Sequence, residues 1–188
     1  MKKKILLGAA LCLAALFLAA AGYAAYVILA YERLEDRLPL TVEGTASAEQ
    51  AEVALGKSYR IASYNLGFGA YSADYSFFMD TGEMKDGTKT AGKYGKAISQ
   101  DSVEAHTEGA SGVIKDLSAD FYLLQEVDVD ADRSYHINQE DFLKTAMADY
   151  ASVFANNFHS AYLFYPFNDP HGAVQAGLLS FSRYKISE

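Results

Sequence analysis

The chain has 188 residues, a formal net charge of -8, 51% hydrophobic residues and 21% charged residues. That balance excludes a disordered chain and supplies material for one ordinary core plus an appendage. The acidic excess leaves no electrostatic footprint for non-specific nucleic-acid binding, and a single cysteine, Cys12, excludes a disulfide within the chain.

Lys2, Lys3 and Lys4 precede an apolar run from Ile5 to about Tyr31. As a helix this run would reach roughly 40 Å, longer than the ~30 Å hydrocarbon core of a bilayer. A cleaved signal peptide needs only about 7–15 apolar residues before a small-x-small site. Ala19-Ala20-Ala21 could serve as that site, but apolar sequence continues through Tyr23, Tyr26, Val27, Ile28 and Leu29. Residues 1–31 therefore read as a signal anchor and transmembrane helix, with cleaved secretion as the alternative. The lysines would stay cytoplasmic, and everything after Glu32 would be extracytoplasmic. Residues 32–57 read as a linker, extended from Leu38 to Val42 and a short helix or loose stalk from Glu43 to Leu55.

From Tyr59 to Gly67 apolar and polar residues alternate, which predicts a strand ending at Asn65, with Gly67 and Gly69 behind it. Asparagine at a strand end is ordinarily a turn former. Residues 70–100 form a long irregular insert, sticky in its first half (Tyr71, Tyr75, Phe77, Phe78, Met79) and rich in lysine and glycine in its second. Such an insert is either a lid over a site or a patch packed on the domain. Asp101 to Leu117 reads as a helix with Val103, Val113, Ile114 and Leu117 as its apolar positions; His106 on it is assigned no role.

Phe121 to Leu124 is an apolar run that reads as a strand buried on both faces and stopping at Gln125-Glu126. A carboxylate at such a strand end lies where open α/β sheets bind ligands. Strand, helix and strand together predict a parallel crossover unit. Asp128, Asp130 and Asp132 then follow at alternate positions, in what reads as a loop. A calcium loop counted from Asp128 would need Gly and Glu where Arg133 and Gln139 stand, so that motif fails. Arg133 either clamps a phosphate through its fork or neutralises Asp130 and Asp132. His136 is either a proton donor and substrate contact or a hydrogen-bonded loop histidine.

Asn138 can cap a helix from Gln139 to Ala151, with Phe142, Ala146, Met147 and Tyr150 as its buried stripe. A short strand at Ser152–Asn157, a second at Ser160–Phe167, a turn at Asn168–Gly172 and a last strand at Gly177–Tyr184 complete the chain. His159 and His171 are spare candidates for substrate contact.

Three segments appear together in a particular order: Ser63-Tyr64-Asn65-Leu66, Leu123-Leu124-Gln125-Glu126-Val127, and Gly177-Leu178-Leu179-Ser180-Phe181-Ser182-Arg183-Tyr184. With them, Tyr59 to the last residue resembles the endonuclease/exonuclease/phosphatase (DNase I-like) superfamily, and the wording around Asn65 and Glu126 resembles a bacterial membrane-anchored branch. The resemblance implies an α/β fold: a DNase I-like two-layer β-sandwich flanked by helices, here its N-terminal half, preceded by one transmembrane helix. Residues 58–188 would be a partial domain whose C-terminal half is absent. It also implies a divalent-metal-dependent phosphoester hydrolase facing the extracytoplasmic side, with Glu126 as ligand to Mg²⁺ or Mn²⁺. Asn65 would orient phosphate or water, and Arg133 and His136 would be further catalytic candidates. The family's GDxN and SDH motifs do not occur here, so the fragment alone is expected to be inactive. The substrate would be a phosphoester: nucleic acid, phospholipid head group or inositol phosphate. The membrane would be met through the N-terminal helix, and no protein partner is implied. The alternative is a membrane-tethered, non-catalytic binding module on the same fold.

Overall fold

In the computed structural model, residues 2–44 and 52–187 are described. They fall into two units, residues 1–33 and residues 34–188. The first is a helix, α1 (Lys2–Leu29), with no buried residue. It is long and apolar enough to cross a membrane or to act as a signal sequence. Of the linker, residues 45–51 lie outside the described residues, so the reading of Glu43–Leu55 as helix or stalk does too for most of its length.

The second unit is α/β with a mixed five-stranded sheet. Its strands are β1 (Val42–Glu43), β2 (Ile61–Asn65), β5 (Phe121–Ala131), β6 (Ala151–Leu163) and β7 (Gly172–Ser182), in the order β1-β6-β7-β5-β2. β2 and β5 run parallel, joined through α2 (Gln100–Leu117), as the crossover reading requires. All other pairings are antiparallel. α2 starts on a capping box in which the Ser99 hydroxyl takes the Ser102 amide and Ser102 answers the Ser99 amide. A short helix, α3 (Gln139–Ala146), is capped by Asn138, whose side chain accepts from the Asp141 amide.

One sheet face carries Tyr122, Leu124, Leu179 and Phe181, which pack with Ile114 of α2 and Leu143 of α3 into the main core. The other face is open. Ile61, Leu123 and Leu178 share it by register and are 64%, 46% and 40% exposed. Phe121–Leu124 therefore alternates rather than being buried on both faces, because helices cover one face only.

Three further expectations are corrected. The helix after Asn138 stops at Ala146 instead of Ala151, and its buried residues are Gln139 and Leu143, while Phe142 is 40% exposed. A turn through Met147 and Tyr150 then frees Ala151 to begin β6. The two strands expected at Ser152–Asn157 and Ser160–Phe167 are one strand, β6, with irregularities in its pairing to β7 at Asn156/Phe158 and Ser160/Leu163. In α2, Val103 and Ile114 are buried, but Val113 and Leu117 stand in solvent.

The insert is built rather than irregular. It contains a hairpin of β3 (Thr81–Glu83) and β4 (Lys89–Ala91). Phe68, Ala70, Tyr75, Ala97 and Val103 form a second core under it, joined by Phe77, Tyr94, Tyr135 and Ile137. Tyr75 stacks on Tyr94 at 5.7 Å, and Phe68 meets Tyr71, Tyr75 and Phe77 edge-on.

Candidate functional site

Glu126 does not end its strand. β5 continues to Ala131, and Glu126 sits in a bulge inside it. Leu124 pairs with Leu179 and Val127 with Gly177, so Gln125 and Glu126 together oppose Leu178. Glu126 has φ +53°, left-handed backbone that a non-glycine residue adopts at a cost. A bulge turns a side chain away from the regular alternation, and bulges gather beside active sites. The neighbouring β6 is irregular opposite the same stretch of β7, between Asn156 and Phe158.

Asn65 ends β2 beside Gln125 of β5. Its Nδ2 donates to Glu126 Oε1 at 2.8 Å, and its Oδ1 accepts the Gly67 amide at 2.7 Å. The second bond is the turn role expected of such an asparagine; the first ties it to the carboxylate. Behind Asn65 the backbone passes through three left-handed residues, Gly67 (φ +55°), Phe68 (φ +43°) and Gly69 (φ +71°). A Cβ on Gly67 would lie 2.6 Å from the Tyr71 ring, and one on Gly69 would crowd Val103 and Gln139 at 3.0 Å. Phe68 has no such freedom; it is held by burial at the centre of the second core.

Two clefts meet at this pair. One, of about 580 Å³, lies between the β2–β5 edge and α2, and is lined by Asn65, Gly67, Tyr71, His106, Gly109 and Glu126 among others. The other, of about 490 Å³, lies on the open side of the sheet and includes Asn65, Glu126, Arg133, Asn157, Phe158 and Leu178. Both sizes suit a small ligand. Tyr71 borders both; burial, with the Asp80 and Glu126 carboxylates behind it, pushes its phenol up.

The acidic stretch is not a loop as far as Ala131. Asp128 is fully buried within β5, and its two oxygens take Arg133 Nε at 3.0 Å and Nη2 at 2.7 Å. Arg133 thus neutralises Asp128, not Asp130 or Asp132, through its Nε–Nη2 edge, and it borders the open-side cleft. Its guanidinium also lies 4.1 Å from the Phe68 ring centre. His136 answers Asp130 at 2.5 Å and Asp132 at 3.5 Å, on an exposed turn, and lines neither of the two clefts. The Asp130 hydrogen bond, with Asp132 behind it, raises its imidazole pKa. The structure therefore brings Asn65 and Glu126 together, places Arg133 at their margin, and leaves His136 apart.

Of the other histidines, His171 is buried against Phe77 and Phe78 and bonds the Gly95 carbonyl at 2.6 Å. His106 is the residue the sequence reading missed: it lines the larger cleft, with Nδ1 2.8 Å from the Gly69 carbonyl oxygen. The signal was present, since His106 falls in line with buried Val103 and Ala110 at helical spacing.

For a cation, the donor set is spare. Among the described residues no group of three or more His, Cys, Asp and Glu gathers at one point. Asn65 turns its Nδ2 toward Glu126 and its oxygen toward Gly67, so Glu126 is the one charged donor here. A lone carboxylate fits a hard ion that keeps most of its waters, the usual habit of Mg²⁺, and does not fit an all-protein cage.

No protein-family model matches the chain, and neither a curated protein nor a solved structure does.

Proposed function

We propose that residues 58–188 belong to a divalent-metal-dependent phosphoester hydrolase of the DNase I-like kind, held at the extracytoplasmic side of a membrane by α1. The observation that carries this reading is the Asn65–Glu126 hydrogen bond at the mouth of two clefts. Two segments far apart in sequence, each resembling a family motif, meet there at side-chain range. The open apolar face of the sheet also suits a fold whose second layer packs on it.

Glu126 would hold Mg²⁺ or Mn²⁺, with water and a substrate phosphate completing the shell. Such an ion stabilises charge on phosphoryl oxygens and acidifies bound water. Asn65 fixes Glu126 Oε1 and, being neutral, adds no repulsion toward an anionic substrate. The Gly67 amide holds Asn65 in turn. The base and the phosphate-stabilising histidine belong, by the resemblance, to the GDxN and SDH motifs, which this sequence does not contain. Nucleic acid, phospholipid head group and inositol phosphate remain the substrate classes.

The test is Mn²⁺ binding to the chain by electron paramagnetic resonance. Glu126→Gln should abolish it. Binding that survives Glu126→Gln removes the metal assignment.

A further inference from the structure

The Gly67–Gly69 turn is costly as it stands, because Phe68 carries a side chain in left-handed backbone. Something outside the turn must hold it. At its start Asn65 takes the Gly67 amide, and Leu66 N bonds the Gln125 carbonyl at 2.9 Å. At its end the Gly69 carbonyl accepts from His106 on α2. A carbonyl oxygen can only accept, so Nδ1 of His106 carries the proton and the tautomer is set.

From this geometry we infer that His106 is a positioning residue, a latch that ties the left-handed turn to α2 and so keeps Asn65 aimed at Glu126. The chain of contacts is continuous: His106 to Gly69, through the turn to Gly67, from Gly67 to Asn65, and from Asn65 to Glu126. His106 need touch neither metal nor substrate to matter. Its working atom is Nδ1, and Nε2 is dispensable. The inference rests on the hydrolase reading only for the consequence at the metal; the latch itself is a property of the turn.

Three variants separate the two ring nitrogens. In His106→Asn the amide nitrogen sits at the same distance from Cβ as Nδ1 and can donate to Gly69. In His106→Gln the polar group moves out toward the Nε2 position. His106→Ala removes both. Two readouts are needed: hydrogen exchange of the Gly67 amide by NMR, and Mn²⁺ affinity by electron paramagnetic resonance, both on the full chain in detergent. A latch predicts that Gly67 exchanges about five- to tenfold faster in His106→Ala and His106→Gln, as loss of one hydrogen bond implies, and at nearly the native rate in His106→Asn. Mn²⁺ affinity should follow the same order. Restoration by Gln but not Asn would make Nε2 the working atom and overturn the proposal, as would unchanged Gly67 exchange in His106→Ala. Should the native chain bind no Mn²⁺, the hydrolase reading fails, while Gly67 exchange still decides the latch. If His106→Ala does not fold, the Asn–Gln comparison decides alone.

Discussion

Asn65 reaches across from β2 to hold Glu126 on β5, donating at 2.8 Å, while its other amide atom accepts from Gly67 at 2.7 Å. Only a side chain that donates and accepts can do both. Aspartate can keep the Gly67 bond but would set a second carboxylate against Glu126.

Asn65→Asp should therefore lower the melting temperature by a few degrees in metal-free buffer, consistent with a cost of about 1–3 kcal/mol. Added Mg²⁺ or Mn²⁺ should recover most of that loss, because a cation relieves the repulsion it binds between. Differential scanning fluorimetry with and without cation checks this. A melting temperature that ignores the cation in both proteins would leave the pair as a strand-end turn and nothing more.

Arg133 gives a second, sharper case. Its guanidinium and the Asp128 carboxylate are 8% and 0% exposed, so removing one partner strands the other in the core. Arg133→Met should destabilise the domain by about 3–5 kcal/mol, read from urea unfolding, and Asp128→Leu combined with Arg133→Met should cost less than Arg133→Met alone. An Arg133→Met protein as stable as the native one would return Arg133 to the list of substrate-facing residues.

The parallel strand pair was legible in the sequence because alternation at Ile61–Asn65 and the apolar run at Phe121–Leu124 flank a stretch of helical spacing. The meeting of Asn65 and Glu126 was legible only through their place in a motif order. What the sequence concealed lies in the bulges. A bulge leaves no compositional mark, so β5 looked finished at Glu126 when it runs on to Ala131. That misplacement carried Asp128 out of the core on paper and gave Arg133 the wrong partners. Phe142 and Leu143 were confused for a related reason: in a helix as short as α3, one residue of phase decides which side is covered.

Gly177 should be intolerant of substitution although its backbone is ordinary. A Cβ there would lie 2.4 Å from the Ala155 carbonyl oxygen and 2.5 Å from Phe154 Cζ. Backbone on the paired strand cannot yield, so Gly177→Ala forces β6 away from β7 beside the bulge. A loss of about 1–3 kcal/mol in urea unfolding is expected. Leu178 next to it is 40% exposed, and Leu178→Ala should be much milder.

His171 should cost the domain stability in mild acid, against His136, whose raised pKa acts the other way over that range. Burial lowers its imidazole pKa below the ordinary 6.5, with nearby Arg133 acting in the same direction against the Gly95 hydrogen bond and the Asp128 and Asp132 carboxylates. Its Nδ1–H donates to the Gly95 carbonyl, and the ring packs on Phe77 and Phe78. Above about pH 6.5 the imidazole is neutral in both folded and unfolded chains, so it imposes no proton-linked penalty. As pH falls below that value the unfolded chain takes up a proton that the folded one still refuses, and unfolding gains. The loss continues until pH drops through the folded-state pKa, where both forms are charged and the slope flattens. His171→Gln can keep a donor toward Gly95 but does not titrate. It should be somewhat less stable than the native protein at pH 7.5, from poorer ring packing, yet lose less on going to pH 5.5. Urea unfolding of both proteins at the two pH values measures the difference in slope, to which His136 contributes equally in each. Equal losses for the two proteins would mean that His171 takes up its proton without leaving its pocket.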